Sequence, residues 1–98
     1  MRSLPRQDIE TALKTKGFVL SAQDRDHRFY YFHYQNKKTA VRTKISTGSK
    51  YRDYDVTLLK LMKNQLNLDR LGDLEDLVKC PLTKSLYEAI LLKKQIIS

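Results

Sequence analysis

The residues best suited to chemistry lie around His27, one of two histidines in a chain of 98 residues. Imidazole can accept or donate a proton near neutral pH, and the guanidinium groups of Arg25 and Arg28 on either side can bind a phosphate. A neighbouring carboxylate, Asp24 or Asp26, can orient the imidazole ring. This grouping is suited to acid–base chemistry on a phosphodiester. The alternative is that His27 is an exposed histidine at the end of a strand, with no chemical role.

The second histidine, His33, lies six residues further along the same predicted strand and on the same face. A strand rises about 3.3 Å per residue, so the two rings are roughly 20 Å apart and cannot act on one phosphodiester. If His27 acts alone on RNA, the second proton-transfer group is Lys44, a tyrosine or water. We predict a structural role for His33.

Positive charge is concentrated in the middle of the sequence. The chain has 19 Lys and Arg against 11 Asp and Glu, and the excess of +8 lies entirely within residues 1–68. In residues 25–52, eight basic residues accompany one acidic residue, Asp26. Such a surface is typical of phosphate binding, although a solvated face of a basic protein is the alternative. The predicted phosphate ligands are Arg25, Arg28, Arg42, Lys44, Lys50 and Arg52.

The length suits one domain, which excludes a multidomain enzyme and a full dinucleotide-binding fold. No apolar stretch is long enough for a membrane helix, and residues 1–5 lack the apolar core of a signal peptide. The single cysteine, Cys80, cannot form an internal disulfide and is predicted to be a buried apolar residue. We therefore expect a cytoplasmic protein that does not contact a membrane.

We predict neither a metal site nor a cofactor. A single cysteine excludes a sulfur-based metal site. Asp53 and Asp55 lie close together in sequence, but without a histidine or a third acid they are more typical of helix caps than of metal ligands.

Three strands are predicted to follow an N-terminal helix. Apolar spacing predicts the helix over residues 5–16, and Gly17 ends it by adopting a left-handed conformation. A short apolar run predicts a first strand over 18–21. Aromatic residues crowd the segment 27–34, and alternating polarity marks the segment 39–45, which predicts two strands joined as an antiparallel hairpin.

A second helix and a helical tail complete the predicted fold. Asp53 or Asp55 caps the second helix, which has a Leu-rich apolar stripe. The resulting order, α-β-β-β-α over residues 1–68, predicts an α+β fold with two helices on one face of a three-stranded antiparallel sheet, as in the double-stranded-RNA-binding fold. Residues 69–98 predict a C-terminal extension of two helices, the second capped by Thr83, packed on the same globule.

The strand over 27–34 carries aromatic residues on both faces. We expect Tyr30 and Phe32 to pack beneath the helices, because they lie opposite the face of His27. Phe29 and Tyr31 share the face of His27, where they can stack with RNA bases. The alternative is that Phe29 packs beneath the C-terminal tail.

Three segments resemble the HicA family of toxins from prokaryotic toxin–antitoxin pairs. The segment "DIETALKTKGFVL" is similar to the family's first helix and first strand, and "DHRFYYF" to the histidine motif that begins its second strand. The segment "VRTKISTGSKYRDYDVTLLKLMKNQL" is similar to its third strand, loop and second helix. The resemblance covers residues 5–68. The Gly-Ser that usually precedes the family's histidine is replaced by Arg25 and Asp26.

The resemblance implies a small endoribonuclease that cleaves mRNA without a metal. The essential histidine of the family corresponds to His27. From their own positions beside it, in the turn and on the same strand face, Asp26 and Tyr31 are predicted to be supporting residues. The resemblance also implies a HicB-type antitoxin that masks the site. Two further functions stay open: a non-catalytic RNA-binding module of the same fold, and a small interaction protein whose basic face docks an acidic partner.

Overall fold

The computed structural model describes residues 3–79 and 81–98, so the predicted burial of Cys80 lies outside the described residues. The α+β fold is confirmed, with an antiparallel three-stranded sheet in the order β2-β3-β4. None of the described helices is long and apolar enough to span a membrane. The elements are β1 (Leu4–Pro5), α1 (Arg6–Thr15), β2 (Phe18–Gln23), β3 (His27–Tyr34), β4 (Lys37–Ser46), a 3-10 turn (Ser49–Tyr51), β5 (Asp53–Tyr54), α2 (Val56–Gln65), α3 (Leu71–Lys79) and α4 (Lys84–Lys93).

Gly17 separates α1 from β2, as predicted. Its φ of 99° lies in a region that glycine adopts at little cost. Its carbonyl accepts a hydrogen bond of 3.0 Å from the backbone N–H of His33, which ties the end of α1 to the far end of β3. Lys84 and Phe32 crowd the position, so Gly17 serves both the turn and the packing around it.

A two-residue turn joins β3 to β4. Gln35 and Asn36 both have positive φ values, of 51° and 63°, as a type I′ turn requires. The turn therefore occupies residues 35 and 36, and β4 begins at Lys37, two residues before the predicted start of that strand at residue 39. The register shifts opposite Phe32, where the Thr39 hydroxyl donates a hydrogen bond of 2.7 Å to the Phe32 carbonyl.

The helices α1 and α2 pack on one face of the sheet. Tyr30 and Phe32 are buried beneath them, as predicted. Asp55 is the N-cap of α2 and accepts a hydrogen bond of 3.0 Å from the backbone N–H of Leu58. The helical side of the core contains Ile9, Leu13, Leu59, Met62 and Leu66.

The C-terminal helices α3 and α4 contribute to the same core, on the helix side of the sheet. The Tyr87 ring lies 5.2 Å from the Phe32 ring and 5.9 Å from the Phe18 ring, centroid to centroid. Its hydroxyl donates a hydrogen bond of 2.8 Å to the Leu66 carbonyl. Thr83 caps α4 as predicted. Because these contacts lie on the face of Phe32, the tail leaves the opposite face of the sheet uncovered.

A short ladder between β1 and β5 was not predicted, because two residues are too few to show a periodicity. It holds Tyr54 in the core, where the Tyr54 hydroxyl accepts a hydrogen bond of 2.7 Å from the Ser46 N–H. Beside it, the Arg6 guanidinium donates to the carbonyls of Ser46 and Gly48, at 2.9 and 3.0 Å. The end of β4 is thereby attached to the N-terminal segment.

We expect Gly17→Ala to lower the free energy of unfolding by about 1–2 kcal/mol, because the positive φ disfavours an L side chain. The added Cβ would also lie 2.8 Å from Lys84 Cε and 3.0 Å from Phe32 Cε1. Urea denaturation measures the change. The matched control is Gly72→Ala in α3, where a Cβ meets nothing within 4 Å and stability is unchanged or slightly raised. Equal stability of the two variants would contradict the role assigned to the positive φ of Gly17.

Candidate functional site

The sheet face opposite the helices brings the main candidate residues together. His27, Phe29 and Tyr31 project from β3 and are half-buried. The exposed residues Arg42 and Lys44 project beside them from β4, where Tyr31 is paired with Arg42 and Phe29 with Lys44. We call the surface formed by these five residues the open face. It carries a row of aromatic rings on β3 and a row of cations beside it on β4.

His27 lies at one end of the open face. Its Nδ1 atom is 3.6 Å from Oδ1 of Asp24, and its side chain is 33% exposed. The centroid of its ring lies 6.1 Å from that of Phe29. Of the two carboxylates that could orient the histidine, the structure therefore places Asp24 beside the ring, while Asp26 is exposed in the same turn.

A hydrogen-bonded turn positions His27. Oδ1 of Asp24 accepts hydrogen bonds from the backbone N–H groups of Asp26, at 2.9 Å, and His27, at 2.8 Å. These two bonds, the one from Asp26 first, hold the pKa of Asp24 below its ordinary value. The Asp26 carbonyl also accepts a bond of 3.0 Å from the Thr47 N–H. The Asp-x-Asp-His spacing, typical of an Asx turn, is the signal that could have identified Asp24 as the anchoring residue.

A groove of about 460 Å³ borders the open face at Phe29, Arg42 and Lys44. Lys38, which was not among the predicted ligands, places its Nζ 4.0 Å from the centroid of the Tyr31 ring. Nη1 of Arg42 lies 3.4 Å from the Tyr31 hydroxyl. Lys38 and Arg42 thus flank the Tyr31 ring, Lys44 is the strand partner of Phe29, and both rings are half-buried. This arrangement suits a chain of stacked bases joined by phosphates.

Arg28 is adjacent to His27 in sequence but points to the helix side of the sheet. Its Nη1 lies 2.8 Å from both carboxylate oxygens of Glu10 in α1, and this bond raises the pKa of Arg28. The Tyr30 hydroxyl donates to the same carboxylate at 3.0 Å. Burial first, and then this bond, raises the pKa of Tyr30 to about 12. Arg28 therefore stabilises the packing of α1 on the sheet. Its side chain lies on the opposite face of the sheet from that of His27.

The other predicted phosphate ligands are dispersed. Arg25 is exposed in the turn before His27. Lys50 lies in the loop after β4, with its Nζ 5.1 Å from the centroid of the Tyr51 ring. Arg52 lines a separate groove with Arg28 and Glu10. Of the six predicted ligands, the structure thus brings Arg42 and Lys44 onto the face of His27 and places Arg25 at its end.

His33 lies at the opposite end of β3 from His27 and is half-buried. Its backbone donates to Gly17, and its Nε2 is enclosed without a hydrogen-bond partner among residues 3–79 and 81–98. Six residues of strand separate the two histidines, so they cannot contact one phosphodiester together.

Comparison of the chain with protein-family models, with curated proteins and with solved structures gives no match.

Protonation of Asp24 is expected to loosen the turn that presents His27. Its folded-state pKa is lowered, so its contribution to stability is present above the unfolded-state pKa and is lost as pH falls through the folded-state pKa. The backbone amide resonances of Asp26 and His27 should therefore titrate with a midpoint below the ordinary aspartate value. An NMR titration in the acidic range measures this.

Two matched variants test the assignment of that titration. Asp24→Asn keeps an acceptor oxygen but removes the charge, so the acidic transition should disappear from both amides. Asp26→Asn alters the neighbouring exposed carboxylate and should leave the transition in place. A transition that persists in Asp24→Asn would show that another group controls the turn.

Proposed function

We propose that the protein binds single-stranded RNA across the open face and cleaves it at His27, as an endoribonuclease similar to the HicA toxins. The observation that carries the proposal is the row formed by His27, Phe29 and Tyr31, with Arg42 and Lys44 beside it. Aromatic rings stack with unpaired bases, and cations on the same surface neutralise the phosphates between them. A sheet face that carries both is suited to an RNA strand rather than to an apolar partner.

The chemistry at His27 is an attack of a ribose 2′-oxygen on the adjacent phosphorus. His27 removes the proton from the 2′-hydroxyl while the oxygen–phosphorus bond forms. The bond from phosphorus to the 5′-oxygen breaks, and that oxygen takes a proton from water at this partly exposed site. The products are a 2′,3′-cyclic phosphate and a 5′-hydroxyl. Asp24, 3.6 Å from Nδ1, stabilises the imidazolium that forms, and Lys44 neutralises charge on the phosphate.

In this proposal the protein acts on mRNA in the cytoplasm and is inhibited by a HicB-type antitoxin. An antitoxin with an acidic surface matches the charge of the open face. By covering Arg42 and Lys44 it would exclude the phosphates of RNA, and by covering His27 it would prevent cleavage.

The substitution His27→Ala should lower the rate of RNA cleavage by about 100-fold or more, because it removes the acid–base group. RNA binding should change little, since Arg42 and Lys44 are retained. The assay uses purified protein and a mixed-sequence single-stranded RNA with a chelator present. His33→Ala is the matched control, from the same strand and face, and should retain cleavage.

Equal cleavage by wild type and His27→Ala would overturn the catalytic assignment. If neither protein cleaves RNA but both bind it in a salt-dependent way, the chain is a binding module of the same fold.

Arg42→Ala and Lys44→Ala should each weaken RNA binding at low salt. Each should make the negative slope of log affinity against log salt concentration shallower by about 0.7, the value for one phosphate contact on a single strand. Fluorescence anisotropy with a labelled RNA at several salt concentrations measures both quantities. The control is Lys93→Ala, an exposed lysine in the last turn of α4. An equal effect of all three variants would show that RNA does not bind preferentially to the open face.

A further inference from the structure

The outer edge of β4 presents unpaired backbone groups. Ser46 shows the direction: its N–H donates to the Tyr54 hydroxyl and its carbonyl accepts from Arg6, so both groups point away from β3. Backbone N–H and C=O groups alternate in direction along an antiparallel strand with a period of two residues. The N–H and C=O groups of Arg42 and Lys44 therefore also point outward.

No described strand occupies this edge. The sheet ends at β4, and β5, the next strand in sequence, is paired with β1. Hydrogen bonds satisfy the outward groups of Ser46, but none to the outward groups of Arg42 or Lys44 is formed by the described parts of the chain. Such an edge is a template for a further strand.

A groove and a smaller hollow lie side by side along this edge. The 460 Å³ groove at Arg42 and Lys44 adjoins a smaller apolar hollow between the end of β4 and α2, and both are lined by Lys44 and Gln65. Leu61 in the hollow is 56% exposed, which is high for a large apolar side chain. A segment lying along β4 would direct alternate side chains toward Leu61 and the others toward the open face.

The positive charges of Arg42 and Lys44 determine which kind of strand can occupy the groove. A second copy of this chain, paired β4 to β4, would place Arg42 and Lys44 beside their own copies, and like charges across strands are destabilising. A segment with carboxylates at alternate positions would instead place them opposite Arg42 and Lys44. The intervening residues would cover Leu61, which favours apolar side chains there.

We propose that the edge of β4 at Arg42 and Lys44 is a docking site for an extended segment of a partner protein in which acidic and apolar residues alternate. The segment joins the sheet as a further strand. Its carboxylates neutralise the cations of the open face, and so it excludes RNA from that face. The strand-docking step stands on the geometry of β4, whereas the exclusion of RNA rests on the proposed function.

The test uses the isotope-labelled full chain at low salt and a synthetic peptide of about nine residues, within the usual range of strand lengths, in which glutamate alternates with valine. Binding should shift the amide resonances of Arg42 and Lys44 and slow their hydrogen exchange. A peptide with lysine in place of glutamate should not bind.

Two further peptides separate strand pairing from attraction between charges. One is methylated on the glutamate nitrogens and the other on the valine nitrogens. A docked strand turns only one of these two sets toward β4, the glutamate set if the pairing is antiparallel. Affinity should therefore fall about tenfold or more for one methylated peptide and change little for the other. Equal binding of both methylated peptides, or no binding of the parent peptide, overturns the proposal.

A labelled RNA added to the same samples keeps the two proposals distinct. If the peptide pairs with β4 but RNA does not bind, the docking site stands and the proposed function fails. If RNA binds and the peptide does not, the docking proposal fails and the proposed function stands. If both bind, the peptide should displace RNA from the wild-type protein.

Discussion

The alternation of side chains along β3 is the constraint on which the rest of the structure depends. β3 is the central strand, so its two faces meet different surroundings. Tyr30 and Phe32 are buried under the helices, while His27 and Phe29 lie on the other side. A shift of the strand by one residue would exchange these sets and bury the histidine face. The hydrophobic core thereby determines which residues form the open face.

The parts of the fold that could be predicted are those with a clear periodicity. The bounds of β3, the burial of Tyr30 and Phe32, and the caps Asp55 and Thr83 all follow from local patterns and agree with the structure. The ladder of β1 with β5 could not be predicted, because two residues give no pattern and their pairing depends on distant parts of the chain. Its contribution to the site is indirect: it brings Tyr54 to the end of β4.

For the candidate site, the sequence predicted which residues of β3 lie together, but it was less successful in predicting which cations lie beside them. Alternation placed His27, Phe29 and Tyr31 together, as the structure does. Charge counting could not tell which cations are already paired, and Arg28, adjacent to His27 in sequence, lies across the sheet with Glu10. Which of Asp24 and Asp26 lies beside the His27 ring likewise depends on the geometry of one turn. In that turn the Asp24 carboxylate accepts hydrogen bonds from the backbone N–H groups of Asp26 and His27.

The contacts of Arg6 have a consequence for the order of folding. The β3–β4 hairpin, closed by a two-residue turn, needs only local loop closure, and it carries every residue of the open face. The contacts from Arg6 to Ser46 and Gly48 join residues 40 and 42 positions apart. They therefore offset the entropy cost of closing so long a loop only when the intervening chain is ordered. In a growing chain the hairpin can form as soon as its residues have emerged. The strand pairing that creates the open face therefore needs only local contacts, whereas the attachment of the end of β4 to the N-terminal segment needs the rest of the fold.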